Sequence, residues 1–430
     1  MKKFLALIIA LVMALSLVAC GEQKQPDVTP DEGGDTQTAT IKVGFITLHD
    51  ENSTYDLNFI NAAKEAIANL GLTDADYILK TNIEEGQKCY DTAAELADAG
   101  CNIIFADSFG HESYMIQAAK DFPDVQFCHS TGTRAHTENL PNYHNAFASI
   151  YEGRYLAGIA AGMKLNEMIA NGTEINGTVV TAENAKIGYV GAFTYAEVVS
   201  GYTSFFLGAR SVCPTVTMDV TFTGSWYDET LEKEGAQKLI DGGCNLISQH
   251  ADSLGAPTAC ENAGVPNVSY NGSTISAGPN TYIISSRIDW APYYEMAIKA
   301  VMDGTEIPAD WTGTLSTGSV VLTDLNTAVA AEGTQAAIDE AMAKLESGEL
   351  HVFDCSTFTT SVELNPFKTD FLKVDADGHI TSYLADVDTD EAYTGDTEVI
   401  TDGYFAESTA RSAPYFDLSI DGINLLDTKM

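Results

Sequence analysis

Lys42-Val43-Gly44-Phe45-Ile46 returns in the same chain as Lys186-Ile187-Gly188-Tyr189-Val190. Asp98-Ala99-Gly100-Cys101-Asn102-Ile103-Ile104 returns, in the same order, as Asp241-Gly242-Gly243-Cys244-Asn245-Leu246-Ile247. Both pairs are offset by about 143–144 residues, which marks a repeated domain rather than a solenoid period. Each unit opens on an apolar strand and reaches a second one about 60 residues later, with helical sequence between. Doubly wound α/β lobes read this way. The expected fold class is therefore α/β, with two doubly wound lobes and a ligand cleft between them.

Outward from the repeat, the N-terminus opens with Met1-Lys2-Lys3, an apolar run from Phe4 to Val18, and Leu17-Val18-Ala19-Cys20-Gly21. A basic start, an apolar core and small residues before a cut predict a secretory signal over residues 1–19. The placement of Cys20 looks like a lipobox, with Cys20 lipidated and anchoring the protein to the membrane from its extracytoplasmic side. The run is short for a span of about 20 residues. Residues 20–40 are rich in Gln, Pro, Asp, Thr and Gly, a composition expected of a flexible tether.

A net charge of −39, from 22 Lys+Arg against 61 Asp+Glu, leaves no basic patch for a phosphate backbone, so nucleic acid is excluded as a partner. Apart from Cys20 there are seven cysteines, an odd number with no CxxC spacing. Cys101 and Cys244 hold equivalent repeat positions just before apolar strands, and most of the seven read as core thiols.

Ligands of open parallel sheets bind beyond the carboxyl ends of the strands. The first strand exits into Asp50, Tyr55 and Asn58, and the strand at Asn102–Ala106 into Asp107, Ser108 and Phe109. In the second unit, exits place Phe193 and Tyr195, then Trp226 and Asp228, then His250 and Asp252, and finally Asn271 and Trp290. Asp107-Ser108 and Asp252-Ser253 are expected at matching exits, facing one cleft from opposite sides. An Asp-Ser after a strand also serves as a helix cap, and a tryptophan can plug a domain interface. Two of three tryptophans fall at exits, and clefts collect polar groups that orient a ligand.

Enzymatic patterns are absent. There is no Gly-x-Ser-x-Gly elbow, no phosphate loop ending in Lys-Ser/Thr, and His111-Glu112 lacks the second histidine of a zinc helix. His129, His136 and His144 are too loosely spaced to predict a metal site. No cofactor is expected, and the chain is read as a non-enzyme.

A further set of segments carries a resemblance. Gly100-Cys101-Asn102-Ile103-Ile104-Phe105, Phe122-Pro123-Asp124-Val125-Gln126-Phe127, Tyr151-Glu152-Gly153-Arg154-Tyr155-Leu156-Ala157-Gly158 and Gly224-Ser225-Trp226-Tyr227-Asp228 follow the lipobox and the first strand in order. From Cys20 to about Asp354 the chain resembles the basic membrane protein family of ABC-transporter substrate-binding lipoproteins, whose characterised members bind purine nucleosides. The resemblance implies a type I periplasmic-binding-protein fold with three crossovers, placed near Ala146–Ile150, Gly264–Val268 and Gly304–Trp311. It implies a first lobe of residues 41–146 plus 267–306, a second of 150–264 plus 312–354, and a C-terminal extension, 355–430, of unassigned role. It also implies a base stacked on aromatic rings and ribose hydroxyls held by carboxylates, with Asn58, Asp107, Trp226, Asp228 and Asp252 at the matching positions. The expected partners are a small nucleoside-like solute and an ABC permease. The alternatives are another amide-bearing or heterocyclic solute, read by His250 and Asp252, or a sensory receptor on the same scaffold.

Overall fold

A computed structural model describes residues 41–387 and 397–430, and in it the duplication appears as two largely parallel sheets. Cys20, the signal segment and the tether lie outside the described residues. The first sheet holds β1 (Val43–Ile46), β2 (Tyr77–Lys80), β3 (Ile103–Ala106), β4 (Gln126–Ser130) and β5 (Tyr143–Ala148) in the order 2-1-3-4-5. The second holds β6 (Lys186–Gly191), β7 (Thr217–Phe222), β8 (Leu246–His250), β9 (Asn267–Tyr270) and β10 (Tyr282–Ile288) in the equivalent order 7-6-8-9-10. The first sheet gains β11 (Asp310–Gly313) beside β5. The second gains β12 (Val320–Leu322) antiparallel to β10, and β13 (Ile423–Leu425) parallel to β7. The main helices are α1 (Thr54–Asn69), α2 (Gln87–Asp98), α3 (Glu112–Asp121), α4 (Ile150–Asn171), α5 (Ala196–Val212), α6 (Glu229–Asp241), α7 (Gly255–Ala263), α8 (Ala291–Asp303) and α9 (Thr334–Glu346).

The repeated words have a physical content. Asn102 Oδ1 accepts the Lys42 N–H and Asn245 Oδ1 the Lys186 N–H, both at 2.9 Å. The lysine Nζ atoms then donate to Ala99 O and Gly242 O, both at 3.0 Å. A Cβ on Gly44 would lie 3.0 Å from Leu96, and one on Gly188 2.8 Å from Leu239. Only glycine lets α2 and α6 press this closely on the first strand of their lobes, and Cys101 and Cys244 fill the same corner. The repeat therefore encodes the docking of a helix on a strand.

Three segments cross between the lobes: Ser149, residues 289–290 and residues 314–319. They are tied together, Ser149 N donating to Gly313 O at 2.8 Å and Asp289 N to Ser319 O at 2.7 Å. The first crossover falls in the expected place; the other two do not. β9 and β10 pair onward from β8, so residues 267–288 belong to the second lobe, not the first. Completing a second 2-1-3-4-5 sheet requires those strands, and the chain returns to the first lobe only with α8 and β11.

The segment beyond residue 354 is built into the second lobe. Phe353 stacks on Phe416 at 4.3 Å, and Phe405, Tyr415, Leu418 and Ile420 share one buried cluster with Leu156, Phe205 and Val220. Asp402-Gly403, with φ of +49° and +89°, makes the tight turn of a short hairpin that pairs Ile400 with Phe405. All seven described cysteines are buried and unpaired. Burial pushes the Cys128 and Cys244 thiols up to about 12 and Cys355 to about 11. Among the described residues no helix is long and apolar enough to cross a membrane.

Candidate functional site

The carboxyl ends of the strands in both lobes enclose a narrow cavity, with about 20 Å³ of room for the centres of water-sized spheres. Leu48, Tyr55, Ser108, Phe109 and Thr131 line it from the first lobe, and Glu197, Trp226, His250 and Asp252 from the second. The lobes are closed on each other. Thr54 N and Oγ1, at the start of α1, donate to Asp252 O at 2.9 and 3.1 Å, and Asn58 Nδ2 donates to Asn271 O at 2.6 Å. The Phe109 and Tyr195 rings stack across the mouth at 5.2 Å.

The first-lobe wall is held from behind by buried carboxyls. Ser53 caps α1, and Asp56 accepts from the His49 N–H at 2.7 Å and the Ser53 hydroxyl at 2.6 Å. Burial pushes the Asp56 carboxyl up, but these bonds bring it below the usual range. Asp107 Oδ1 accepts the Leu48 N–H at 3.1 Å, and its carbonyl accepts the Tyr55 hydroxyl at 2.7 Å. Burial, helped by the neighbouring Asp56, holds the Asp107 carboxyl well above the usual range. Ser108 donates to Glu85 at 2.6 Å and forms a capping box with His111. Thr131 has φ +71°, a strained value for a β-branched residue, and its hydroxyl is buried with no protein partner.

Aromatic rings dominate the second-lobe wall. Phe193 stacks on Tyr195 at 5.0 Å and meets Trp226 edge-on at 5.1 Å. His250 Nε2 lies 3.4 Å from Glu197 Oε1. Burial lowers the His250 pKa, against the opposing pull of Glu197 and with a smaller push from the charge of Arg154. Arg154 is fully buried, donating to Ser248 Oγ at 2.9 Å, Ser269 O at 3.1 Å and Tyr189 Oη at 3.0 Å, with the Phe205 and Tyr270 rings within 5.0 Å. Asp252 Oδ1 accepts from Asn271 at 3.1 Å. Burial and the nearby carboxyls of Asp56, Glu232 and Glu197 push the Asp252 carboxyl well up. No lysine or arginine lines the cavity.

Of the residues expected at the site, Tyr55, Ser108, Phe109, Trp226, His250 and Asp252 line the cavity, and Phe193 and Tyr195 pack against Trp226. Asp107 stands one layer behind the wall, and Asn58 and Asn271 join the lobes beside it. The remaining three have other work. Asp50 accepts from Asn52 in its own loop and from Asn82 in the loop after β2. Asp228 caps α6, accepting from Thr230 N and Leu231 N at 3.0 and 2.9 Å. Trp290 is 1% exposed and stacks on Phe59 at 4.5 Å in the first-lobe core. The expected match of Asp107 with Asp252 is also corrected. Val43 pairs with Ile103 and Ile187 with Leu246, so Asp107 is equivalent to His250, and Asp252 lies two residues further on. Leu48, Thr131 and Glu197 were not anticipated; an acid two residues past Tyr195, in the first turn of α5, is the one signal that pointed to Glu197. Among the described residues no cluster of three His, Cys, Asp or Glu could hold a metal.

Residues 44–350 match the family described as ABC transporter substrate-binding protein PnrA-like. A purine-binding protein of Brucella abortus is 32% identical over 317 residues, covering 73% of this chain and 83% of that protein. A Haloferax volcanii protein designated as a glucose-binding component of an ABC transporter is 32% identical over 299 residues, covering 68% of this chain and 69% of its own. A solute-binding protein of an ABC transporter system from Aeropyrum pernix shares the fold, with a TM-score of 0.61 at 18% identity over 76% of this chain and 96% of the other. The chain belongs to the PnrA-like family of ABC transporter substrate-binding proteins, a family of solute-binding proteins and not of enzymes.

Proposed function

We propose that this protein is the membrane-anchored receptor of an ABC importer and closes its two lobes on an uncharged purine nucleoside. The observation that carries the reading is the make-up of the cavity wall. Ring faces from Phe109 and Trp226 stand beside the carboxyls of Glu197 and Asp252, with no cationic side chain among them. A flat base gains by stacking on such rings, and ribose hydroxyls donate to carboxyl oxygens. A phosphate would meet buried acids with nothing to compensate its charge, which favours a nucleoside over a nucleotide. The Brucella relative is named for purines. The Haloferax relative is named for glucose and supports a monosaccharide as the second reading. A hexose needs one ring face, whereas Phe109, Tyr195 and Trp226 together offer more aromatic surface than that.

Closure follows from differential contact: a solute touching both walls stabilises the closed state over the open one. Calorimetric titration with guanosine, inosine, adenosine, a nucleoside monophosphate and glucose tests the ligand class. Heat is expected with a nucleoside and none with the monophosphate; heat with glucose alone would replace the nucleoside. Anchoring rests on Leu17-Val18-Ala19-Cys20. Cys20→Ala should release the protein from the membrane phase in a detergent partition, and normal retention would remove the lipid anchor from the reading.

A further inference from the structure

The family match ends at residue 350, yet the chain beyond it reaches the rim of the cavity. β13 lies parallel to β7, Ile423 opposite Met218 and Leu425 opposite Val220. Direction matters here. A parallel strand carries the residues that follow it toward the carboxyl end of the sheet, where the site is; an antiparallel one would carry them away. Past β13, Asp427 Oδ1 accepts the Phe222 N–H at 2.7 Å and Oδ2 the Thr221 hydroxyl at 2.6 Å, with Lys238 Nζ at 3.1 Å. Lys429 N donates to Thr194 Oγ1 at 2.9 Å, and Lys429 O accepts the Thr194 N–H at 2.7 Å. The Lys429 stem covers Gly224, whose φ of +77° suits glycine, and its Cδ would lie 3.5 Å from a Cβ there.

Thr194 stands between Phe193 and Tyr195, and Gly224 two residues before Trp226. One short segment thus grips both loops that present the aromatic wall. We infer that Asp427 and the Lys429 backbone are positioning residues for solute binding, holding Phe193, Tyr195 and Trp226 where a flat ligand stacks on them. The inference rests on the reading of these rings as the solute's wall. Covering the open edge of β7 needs only ladder hydrogen bonds. The bonds of Asp427 lie past the ladder and fix the end of β7 where the Trp226 loop begins, and those of Lys429 act on the loop at Thr194, which is how a site is pre-organised by its supporting shell.

The test uses the full chain labelled with 5-fluorotryptophan. Its three tryptophans, 226, 290 and 311, give three fluorine resonances, and Trp226→Phe assigns the one of interest. In ligand-free Asp427→Ala the Trp226 resonance should shift or broaden while that of Trp290 stays. The guanosine Kd should rise about 10-fold. Asp427→Asn keeps an acceptor for the Phe222 N–H and should restore most of both. Thr194→Val keeps shape, removes only the acceptor for the Lys429 N–H, and should move the same resonance even if Asp427→Ala fails to fold. An unmoved Trp226 resonance with affinity within about twofold of wild type would overturn the inference. So would equal shifts of Trp226 and Trp290 with a lowered Tm, the mark of a merely structural role. If wild type binds no nucleoside, the ligand reading falls, and the ligand-free fluorine spectra still decide the positioning role.

Discussion

The first lobe meets the solute cavity with Leu48, Tyr55, Ser108, Phe109 and Thr131, the second with Glu197, Trp226, His250 and Asp252. Behind these unlike walls the lobes are alike bond for bond. Asn102 and Asn245 each accept the first strand's N–H, and Lys42 and Lys186 each reach back to the carbonyl before their glycine turn. Divergence is concentrated where the strands end. The position that is Asp107 in one lobe is His250 in the other. Helix docking constrains a residue through its own lobe, whereas a strand exit is constrained by what it faces.

Two tryptophans at strand exits give the widest separation between core and wall. Trp290→Ala should lower the stability of the fold by about 3–5 kcal/mol in chemical denaturation, the cost of emptying a packed aromatic site. Trp226→Ala should cost far less stability but raise the Kd for a bound nucleoside by about 10- to 1,000-fold, using ~1.5–4 kcal/mol for an aromatic anchor. Equal stability losses in the two would break the division.

Protonation offers a second test, of one buried carboxyl behind the second-lobe wall. Burial pushes Glu232, in the second lobe, up to about 7 despite the hydrogen bonds it accepts from Ser253 and Asp228. A carboxyl raised in the folded state contributes fully below its unfolded value near 4.5 and loses that contribution as pH rises through 7. The loss is on the order of 3 kcal/mol. Urea denaturation of wild type from pH 5 to 8 should show stability falling, and Glu232→Gln should flatten the slope. Glu407, which burial also lifts to about 7 in the same lobe, and the raised carboxyls of Asp107 and Asp252 should retain the rest of it. A slope untouched by Glu232→Gln would place the titration elsewhere.

Asp252 lines the cavity and Asp107 does not. Asp252→Ala should therefore weaken binding about 10–100-fold. Asp107→Ala should change affinity less, and act through the loop at Leu48. The reverse order in calorimetry would bring Asp107 into the wall. Smallest of all, Asn102→Ala and Asn245→Ala should each cost about 1 kcal/mol, a little less at the exposed Asn102 than at the buried Asn245, since both remove one hydrogen bond to the first strand's N–H. A marked inequality would mean the shared frame is not shared energetically.

What was legible in the sequence was whatever the repeat wrote twice. Gly44 with Cys101 and Gly188 with Cys244 announce a strand, its helix and their contact, and from these the two lobes follow. β9 and β10 were misplaced because Asn267-Val268-Ser269 shares no words with its counterpart Phe127-Cys128-His129. Trp290 looked like a cleft residue for the same reason. The chain leaving β10 crosses the hinge at once, so that exit leads into the first-lobe core. Asp228 shows the limit of residue type alone, since a cap and a ligand both want a short carboxylate. Thr131 was silent because backbone strain has no spelling. The pairing of β13 with β7 spans some 200 residues and left no local pattern to read.

The buried thiols give the molecule a clock. Cys89, Cys101 and Cys128 sit in one lobe and Cys213, Cys244, Cys260 and Cys355 in the other, each sealed within its own packing. Hinge motion parts the walls of the cleft without opening either core, so a thiol reagent is blind to solute traffic. It reaches these seven thiols only in chains that have come apart. Because the lobes hold three and four thiols, the mass added first records which half of the duplicated body yields before its twin.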